Sequence, residues 1–325
     1  MRNRVLKIGT RGSELALWQA RWIQQQLMRV HPRLETSIHV IKTTGDKVLN
    51  SLPSAMGDKG IFTKEIEQAL CDEEIDIAVH SLKDLPTEVP GGLMIGAITE
   101  REDPRDVFIP HPANPKRDLE SQPTSAKIAT GSMRRRCQLL NRRPDLEIID
   151  LRGNVNTRFR KLETSDWQGM VLAKAGVGRL GMLDRVGEVF EIEAMLPAVG
   201  QGALAVEIRT DDSWSSEIVR GVHHRPTEQA TRAERALLRR LECGCQVPLG
   251  AFGRIMVNGV GKKELAIDGM VGSLDGKSII RASISGNPEG PEGLGEQLGE
   301  MLLDRGASEI LRDIRQATPL STSSQ

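Results

Sequence analysis

Short apolar runs alternating with helical patterns constrain this chain more than any other feature. Strand, helix, strand in repetition builds a mostly parallel sheet covered by helices. Val5 to Ile8 is the first apolar run. Thr10-Arg11-Gly12-Ser13 interrupts it, and Leu15, Leu17, Trp18, Trp22, Ile23 and Leu27 then follow a helical repeat that Ser13 can cap. Ser37 to Lys42, Ile75 to Val79 and Leu93 to Ile98 read as further strands, with a helix over Thr63 to Leu70. Residues 43–60 read as a loop longer than ordinary connections, which favours function or motion.

The alternation then restarts. Ala126 to Ala129, Glu147 to Ile149 and Met170 to Ala173 read as strands, with helices over 132–141 and Asn154 to Leu162. Between the two alternating regions, Pro104 to Ser125 holds Pro110, Pro112, Pro115 and Pro123, and reads as a boundary or excursion outside the core. Ala203 to Ile208 is one more strand. The last third has another pattern. A helix over Thr227 to Leu241 precedes strands at Ala251 to Val257, Glu264 to Val271 and Ser278 to Ile284. Asn258-Gly259 and Asp275-Gly276 suit tight hairpins between them, and helices follow over Leu294 to Leu303 and Ser308 to Ile314. This predicts a small α+β domain with an antiparallel sheet.

Composition narrows the function. The 44 basic and 44 acidic residues of the 325 cancel, so the chain has no general attraction for nucleic acid or an anionic membrane. Four cysteines are too few for a disulfide framework in a chain this long and suit a reducing, cytoplasmic setting. The beginning, MRNRVLKIGTRGS, lacks the apolar stretch of a secretory signal, and no apolar run approaches the roughly 20 residues that span a bilayer.

Polar chemistry gathers where strands end and helices begin, the place where open α/β sheets bind ligands. Arg11 follows the first strand; Lys83 and Asp84 follow Val79 in HSLKDLPT; Thr130, Ser132, Arg134 and Arg135 follow Ala129. Arg152 and Arg158 flank a Gly-Asn turn, and Arg179 follows the strand at 170–173. A cleft lined with guanidinium forks suits a ligand bearing several carboxylates or phosphates. Any one of these arginines can equally face solvent or an ion-pair partner. Asp84 can equally brace the turn before Pro86, and His80 at the end of a core strand reads as a structural histidine. Neither GxGxxG nor GxxxxGK[ST] occurs, so no nucleotide fingerprint is present. Cys243-Gly244-Cys245 lacks a second pair or nearby His to complete a metal set.

The blocks IGTRGSELAL, DKGIFTKEIEQAL, HSLKDLPT, TGSMRRRCQL, LRGNVNTR, LAKAGVGRLG, VGQGALAVE and CGCQVPLG, in this order, closely resemble the hydroxymethylbilane synthase (porphobilinogen deaminase) family. The resemblance implies two periplasmic-binding-protein-like α/β domains plus a smaller C-terminal α+β domain. They would fall at residues 1–102 with 203–220, at 103–202, and at 221–325, the last carrying the loop of an attachment cysteine. It implies a monomer that condenses four porphobilinogen molecules head to tail, releasing ammonia, on a covalent dipyrromethane primer, then frees linear hydroxymethylbilane by hydrolysis. The primer would hang by a thioether from Cys245, the cysteine before Gln-Val-Pro. Asp84 would stabilise the cation formed as ammonia leaves and move protons. Arg11, Lys83, Arg134, Arg135, Arg152, Arg158 and Arg179 would hold acetate and propionate groups, with further contacts from Ser13, Lys59, Ser81, Thr130, Ser132 and Gln201. Two departures stand out. Family members commonly read SSLRR where this chain has Gly131-Ser132-Met133-Arg134-Arg135, and GGC where it has Cys243-Gly244-Cys245. Arg136 is expected at the surface. A solute-binding protein or ligand-sensing regulator would share the two-lobed cleft but needs neither the Cys245 loop nor the Asp84 motif.

Overall fold

The computed structural model describes residues 4–45, 63–241, 247–257, 259 and 261–317; Lys59, Cys243, Cys245 and Asn258 lie outside the described residues. Among the described residues three sheets organise the chain, two of five strands and one of three.

The first sheet has the order β2-β1-β3-β10-β4, from β1 (Leu6–Thr10), β2 (Thr36–Val40), β3 (Ile77–Ser81), β4 (Leu93–Ile98) and β10 (Leu204–Arg209). β1 pairs parallel with β2 and β3, whereas β10 runs antiparallel to both β3 and β4. Alternation along β3 explains its two-sided burial. Ile77 and Val79 join the apolar layer under α1 (Glu14–Val30) and α6 (Ser213–Val219), and Ala78 faces α2 (Lys64–Cys71) on the other side. Ser13 caps α1, its hydroxyl accepting from Ala16 N at 3.3 Å. Each fully buried Leu or Ile in these layers contributes roughly 1.5–3 kcal/mol.

The second sheet repeats the plan as β7-β6-β8-β5-β9, from β5 (Asp106–Pro110), β6 (Lys127–Ala129), β7 (Glu147–Ile149), β8 (Gly169–Ala173) and β9 (Glu188–Val189). Here β5 is the antiparallel strand, against β8 and β9. α3 (Met133–Arg142) covers one face, and α4 (Val155–Glu163) and α5 (Lys174–Arg179) cover the other. The expectation of mostly parallel sheets therefore holds with one antiparallel strand in each. In both, that strand is the first after the chain crosses between the sheets.

This corrects the reading of Pro104 to Ser125 as an excursion outside the core. Val107, Phe108 and Ile109 have no exposed surface and form the centre of β5. The proline cluster misled because it begins at Pro110, the last residue of the strand, where a missing N–H is tolerated.

The third sheet, β11-β12-β13, is antiparallel as expected, from β11 (Leu249–Val257), β12 (Lys263–Gly272) and β13 (Ile279–Gly286). α7 (Arg225–Arg240) and α8 (Pro291–Leu302) pack on it through Ala233, Leu237, Leu298 and Leu302, and α9 (Ser308–Ala317) closes the layer with Leu311. Among the described residues no helix is long and apolar enough to cross a membrane.

Candidate active site

The crossing segments, 99–105 and 190–203, meet where the two five-stranded sheets face each other. Arg101 Nε donates to Gln201 O at 2.8 Å, joining one crossing to the other. Gly202 has φ +96, and a Cβ there would stand 2.3 Å from Glu102 O, so the close approach of the crossings requires glycine. Across this junction the sheets also touch through α1. Asn156 of α4 donates to the Glu14 carboxylate, and the Arg179 guanidinium lies 5.8 Å from the centroid of the Trp18 ring.

β3 delivers the HSLKDLPT segment. Its last residue, Ser81, accepts from Gln19 Nε2 at 2.8 Å, fixing the strand end to α1. His80 is buried, with Nε2 3.2 Å from Glu207 Oε2 on the neighbouring β10, which fits the expected structural histidine. Leu82–Asp84 then form one 3-10 turn, and buried Leu82 and Leu85 pin it on either side of Lys83 and Asp84, which stay exposed.

Lys83 keeps exposed surface along its side chain, while groups of both five-stranded sheets crowd its ammonium. That poor hydration pushes it down to about 8, opposed by Asp84 and Asp106 and reinforced by Arg135 and Arg134. Its Nζ makes a long contact, 3.5 Å, with Gln201 Oε1. Arg158 is likewise lowered to about 10, by burial first and then by Arg135, with Asp84 and Asp150 opposing. Arg179 falls to about 10 through burial, opposed by Glu102, and donates to Gly202 O at 2.7 Å.

The structure thus gathers Lys83 and Asp84 of the first sheet with Arg134, Arg135 and Arg158 of the second. Arg134 and Arg135 are not open to solvent; they are buried on α3 against Asp106. Thr130 is buried after β6, and its Oγ1 accepts from Ser132 N at 3.3 Å; Ser132 caps α3. Arg152 pairs with Asp150 at 3.1 Å in a partly exposed loop, and Arg11 is half-buried just after β1. Arg136 is exposed, as expected. At Gly131, where the family commonly has serine, a Cβ would meet Leu151 O at 2.5 Å.

Sequence reasoning missed Asp106, Gln19 and the Arg101–Glu234 pair. Asp106 carried a readable signal, an acid opening the apolar run DVFIP. Glu234 carried none, since it lies among many charged residues of a long helix.

Cations that depress one another in a poorly hydrated cleft are complementary to a polycarboxylate. Lys83 and Arg158 both fit a group carrying several carboxylates, which would favour their charged forms. The fold and this site define a two-lobed α/β protein with clustered cations where the lobes meet and a third, antiparallel sheet towards the C-terminus. Two family models match: "Porphobilinogen deaminase, dipyromethane cofactor binding domain" over residues 6–217, and "Porphobilinogen deaminase, C-terminal domain" over residues 229–304. Curated relatives named porphobilinogen deaminase include that of Carboxydothermus hydrogenoformans, 49% identical over 95% of this chain and 96% of the relative. Those of Desulfitobacterium hafniense, 50% identical over 97% and 98%, and Chlorobium phaeobacteroides, 51% identical over 95% and 98%, are similar. Among solved structures the methionine binding protein MetQ aligns with a TM-score of 0.44 at 12% identity, covering 67% of this chain and 89% of that one. The chain belongs to the porphobilinogen deaminase family.

Proposed function

We propose that this chain condenses four porphobilinogen molecules head to tail, with loss of ammonia at each step, and releases linear hydroxymethylbilane by hydrolysis. The observation that carries the reading is the convergence of Asp84, Lys83 and Arg158 from two sheets onto one cleft within a chain of this family. A dipyrromethane primer on Cys245 would supply, when bound, the free pyrrole carbon that the first substrate ring joins. Cys245 itself lies outside the described residues.

In each condensation the C–N bond to the departing ammonia breaks, a C–C bond forms to the preceding ring, and that ring carbon loses a proton. Asp84 is the group for the charge that develops: its carboxylate opposes the cation left when ammonia departs and accepts N–H hydrogen bonds from the substrate ring. Lys83, Arg158, Arg11, Arg152 and Arg179 hold acetate and propionate groups. Arg134 and Arg135 set the positive field behind them. Ser13 and Ser132 cap their helices, Thr130 accepts from the Ser132 backbone N–H and Ser81 accepts from the Gln19 side chain, which supports a positioning role for each. Lys59 belongs to the same proposal from the family block alone.

Three units, residues 1–102 with 203–220, 103–202 and 221–325, are the proposed domains, supported by the three sheets. α6 and the turn after it pack under the first sheet, in keeping with a boundary near 220. The proposal extends to a cytoplasmic monomer without nucleic-acid or membrane partners.

The test is the intact mass of denatured protein together with conversion of porphobilinogen. A covalent mass increment of two linked pyrroles, mapped to Cys245, and linear product support the reading. Bare polypeptide that binds a ligand without turnover points instead to a solute-binding protein and overturns it.

A further inference from the structure

Asp106 opens β5, the antiparallel strand that follows the first crossing, and has no exposed surface. Its carboxylate accepts four hydrogen bonds. Arg135 gives two to Oδ1, from Nε at 3.0 Å and Nη2 at 2.8 Å; Gln201 Nε2 gives a third at 2.9 Å; Arg134 Nη1 donates to Oδ2 at 2.7 Å. Oδ1 takes three of these bonds and Oδ2 one, and with no exposed surface the carboxylate is enclosed by its donors rather than open to substrate.

We propose that Asp106 is a positioning residue: its buried carboxylate holds Arg134, Arg135 and Gln201 as one pre-aligned unit behind the cleft, so that carboxylated pyrroles meet cations whose directions are already set. The inference rests on the proposed function, because it assigns the unit's purpose to pyrrole carboxylates.

Three observations converge. Both arginines leave α3 side by side, and two adjacent guanidiniums repel unless an anion lies between them. Each guanidinium is also tied to backbone: Arg134 Nη1 donates to Leu196 O at 2.7 Å as well, and Arg135 Nη1 to Val171 O at 3.1 Å, while Arg134 Nε is buried without a hydrogen-bond partner among the described residues. Gln201 comes from the other crossing, donates to Pro104 O at 2.7 Å as well, and turns its Oε1 to Lys83. The unit therefore joins α3, both crossings and the turn that bears Asp84. Burial alone would raise Asp106, but Arg134 and Arg135 hold it well below the usual carboxylate range, so it stays ionised wherever the protein is folded and active. Its charge also reaches Lys83, which is faced by Asp84 on its own turn, Arg134 and Arg135 on α3, and Asp106 on β5.

The test compares Asp106→Asn and Asp106→Glu with the parent, all as full-length purified protein. The amide keeps the volume, removes the charge and turns an N–H toward a donor. The proposal expects Asp106→Asn to raise KM for porphobilinogen about tenfold or more while kcat stays within about threefold, the signature of lost binding shared by ground and transition states. It also expects the pH midpoint for chemical labelling of the Lys83 amine, read by mass spectrometry, to fall by about one unit, because an anion that favoured the ammonium is gone. Asp106→Glu should leave that midpoint near the parental value while still raising KM, because charge is kept and placement is lost. Parental KM and midpoint in Asp106→Asn would overturn the proposal, as would parental KM in Asp106→Glu. If Asp106→Asn does not fold, Asp106→Glu decides by its KM and midpoint; if neither folds, the residue is scaffold and the positioning role is wrong. A parental protein without primer or turnover would sink the proposed function instead.

Discussion

At the scale of single residues, the short turn after β3 separates chemistry from bracing. Leu82 and Leu85 are buried and hold the turn; Lys83 and Asp84 between them are exposed. Substituting Asp84 should therefore leave folding near parental, because its side chain is not what anchors the segment. Asp84→Asn removes the charge that opposes the developing cation and should lower single-turnover condensation by about 100-fold or more, in the range that electrostatic stabilisers supply. Asp84→Glu keeps the charge one methylene out of place and should lose less. Rapid-quench measurements on primer-bearing protein check this; condensation at the parental rate in Asp84→Asn contradicts a catalytic Asp84. Lys83 yields a pH prediction. With its ammonium near 8, it loses charge as pH rises through that value, so primer-free protein should show Lys83 labelling with a midpoint near 8. Loading the primer should move the midpoint upward, since neighbouring carboxylates favour the ammonium. No change on loading would remove Lys83 from the carboxylate-holding set.

At the scale of elements, α3 shows how local rules and tertiary fit divide the work. Ser132 caps the helix, accepting from Arg135 N at 3.4 Å, and its first turn projects Arg134 and Arg135 inward while Arg136 stays outside. The sequence shows three consecutive arginines and cannot rank them; the helical phase against β5 does. The residue before the cap, Gly131, is fixed by what lies opposite. Gly131→Ser, which restores the family's usual residue, should destabilise this chain by about 1–3 kcal/mol, because the Cβ must displace the Leu151 carbonyl or the turn itself. Urea unfolding measures it; unchanged stability means that the loop after Asp150 yields at no cost. β5 carries the opposite lesson. Its apolar centre was legible in DVFIP, but proline counting across the segment hid it, since periodicity over five residues gives weak support for a strand.

At the scale of the whole molecule, Glu234 of α7 ties the third unit to the crossings. It is fully buried and accepts from Arg101 Nη1 at 2.5 Å and Nη2 at 3.3 Å, from Gly200 N at 2.7 Å and from Gly253 N at 2.7 Å. These donors come from both crossings and from β11, so one carboxylate sets the attitude of the third unit against the cleft. Removing one member of a buried pair leaves an uncompensated charge. Glu234→Ala should therefore cost about 3–5 kcal/mol in urea unfolding, well above the cost of losing an exposed pair such as Arg225–Glu289. Equal effects at the two sites would contradict the junction role.

What the sequence by itself determined is local or repetitive. The alternating patterns named strands β1–β4, β6–β8 and β10 and helices α1–α4 of the two α/β units, the hairpin sheet of the last third, and the strand-end placement of Lys83 and Asp84, because periodicity and strand-to-helix turns are written in neighbouring residues. The family blocks identified the chemistry expected at those positions. Only the tertiary structure decided that β5 and β10 are the antiparallel strands of their sheets, that Asp106 sits between Arg134 and Arg135, and that Glu234 gathers donors from both crossings. Those are pairings between residues from 28 to 133 positions apart. Burial turns such pairs from optional surface contacts into requirements, and no run of adjacent residues records which distant charge will be enclosed with which.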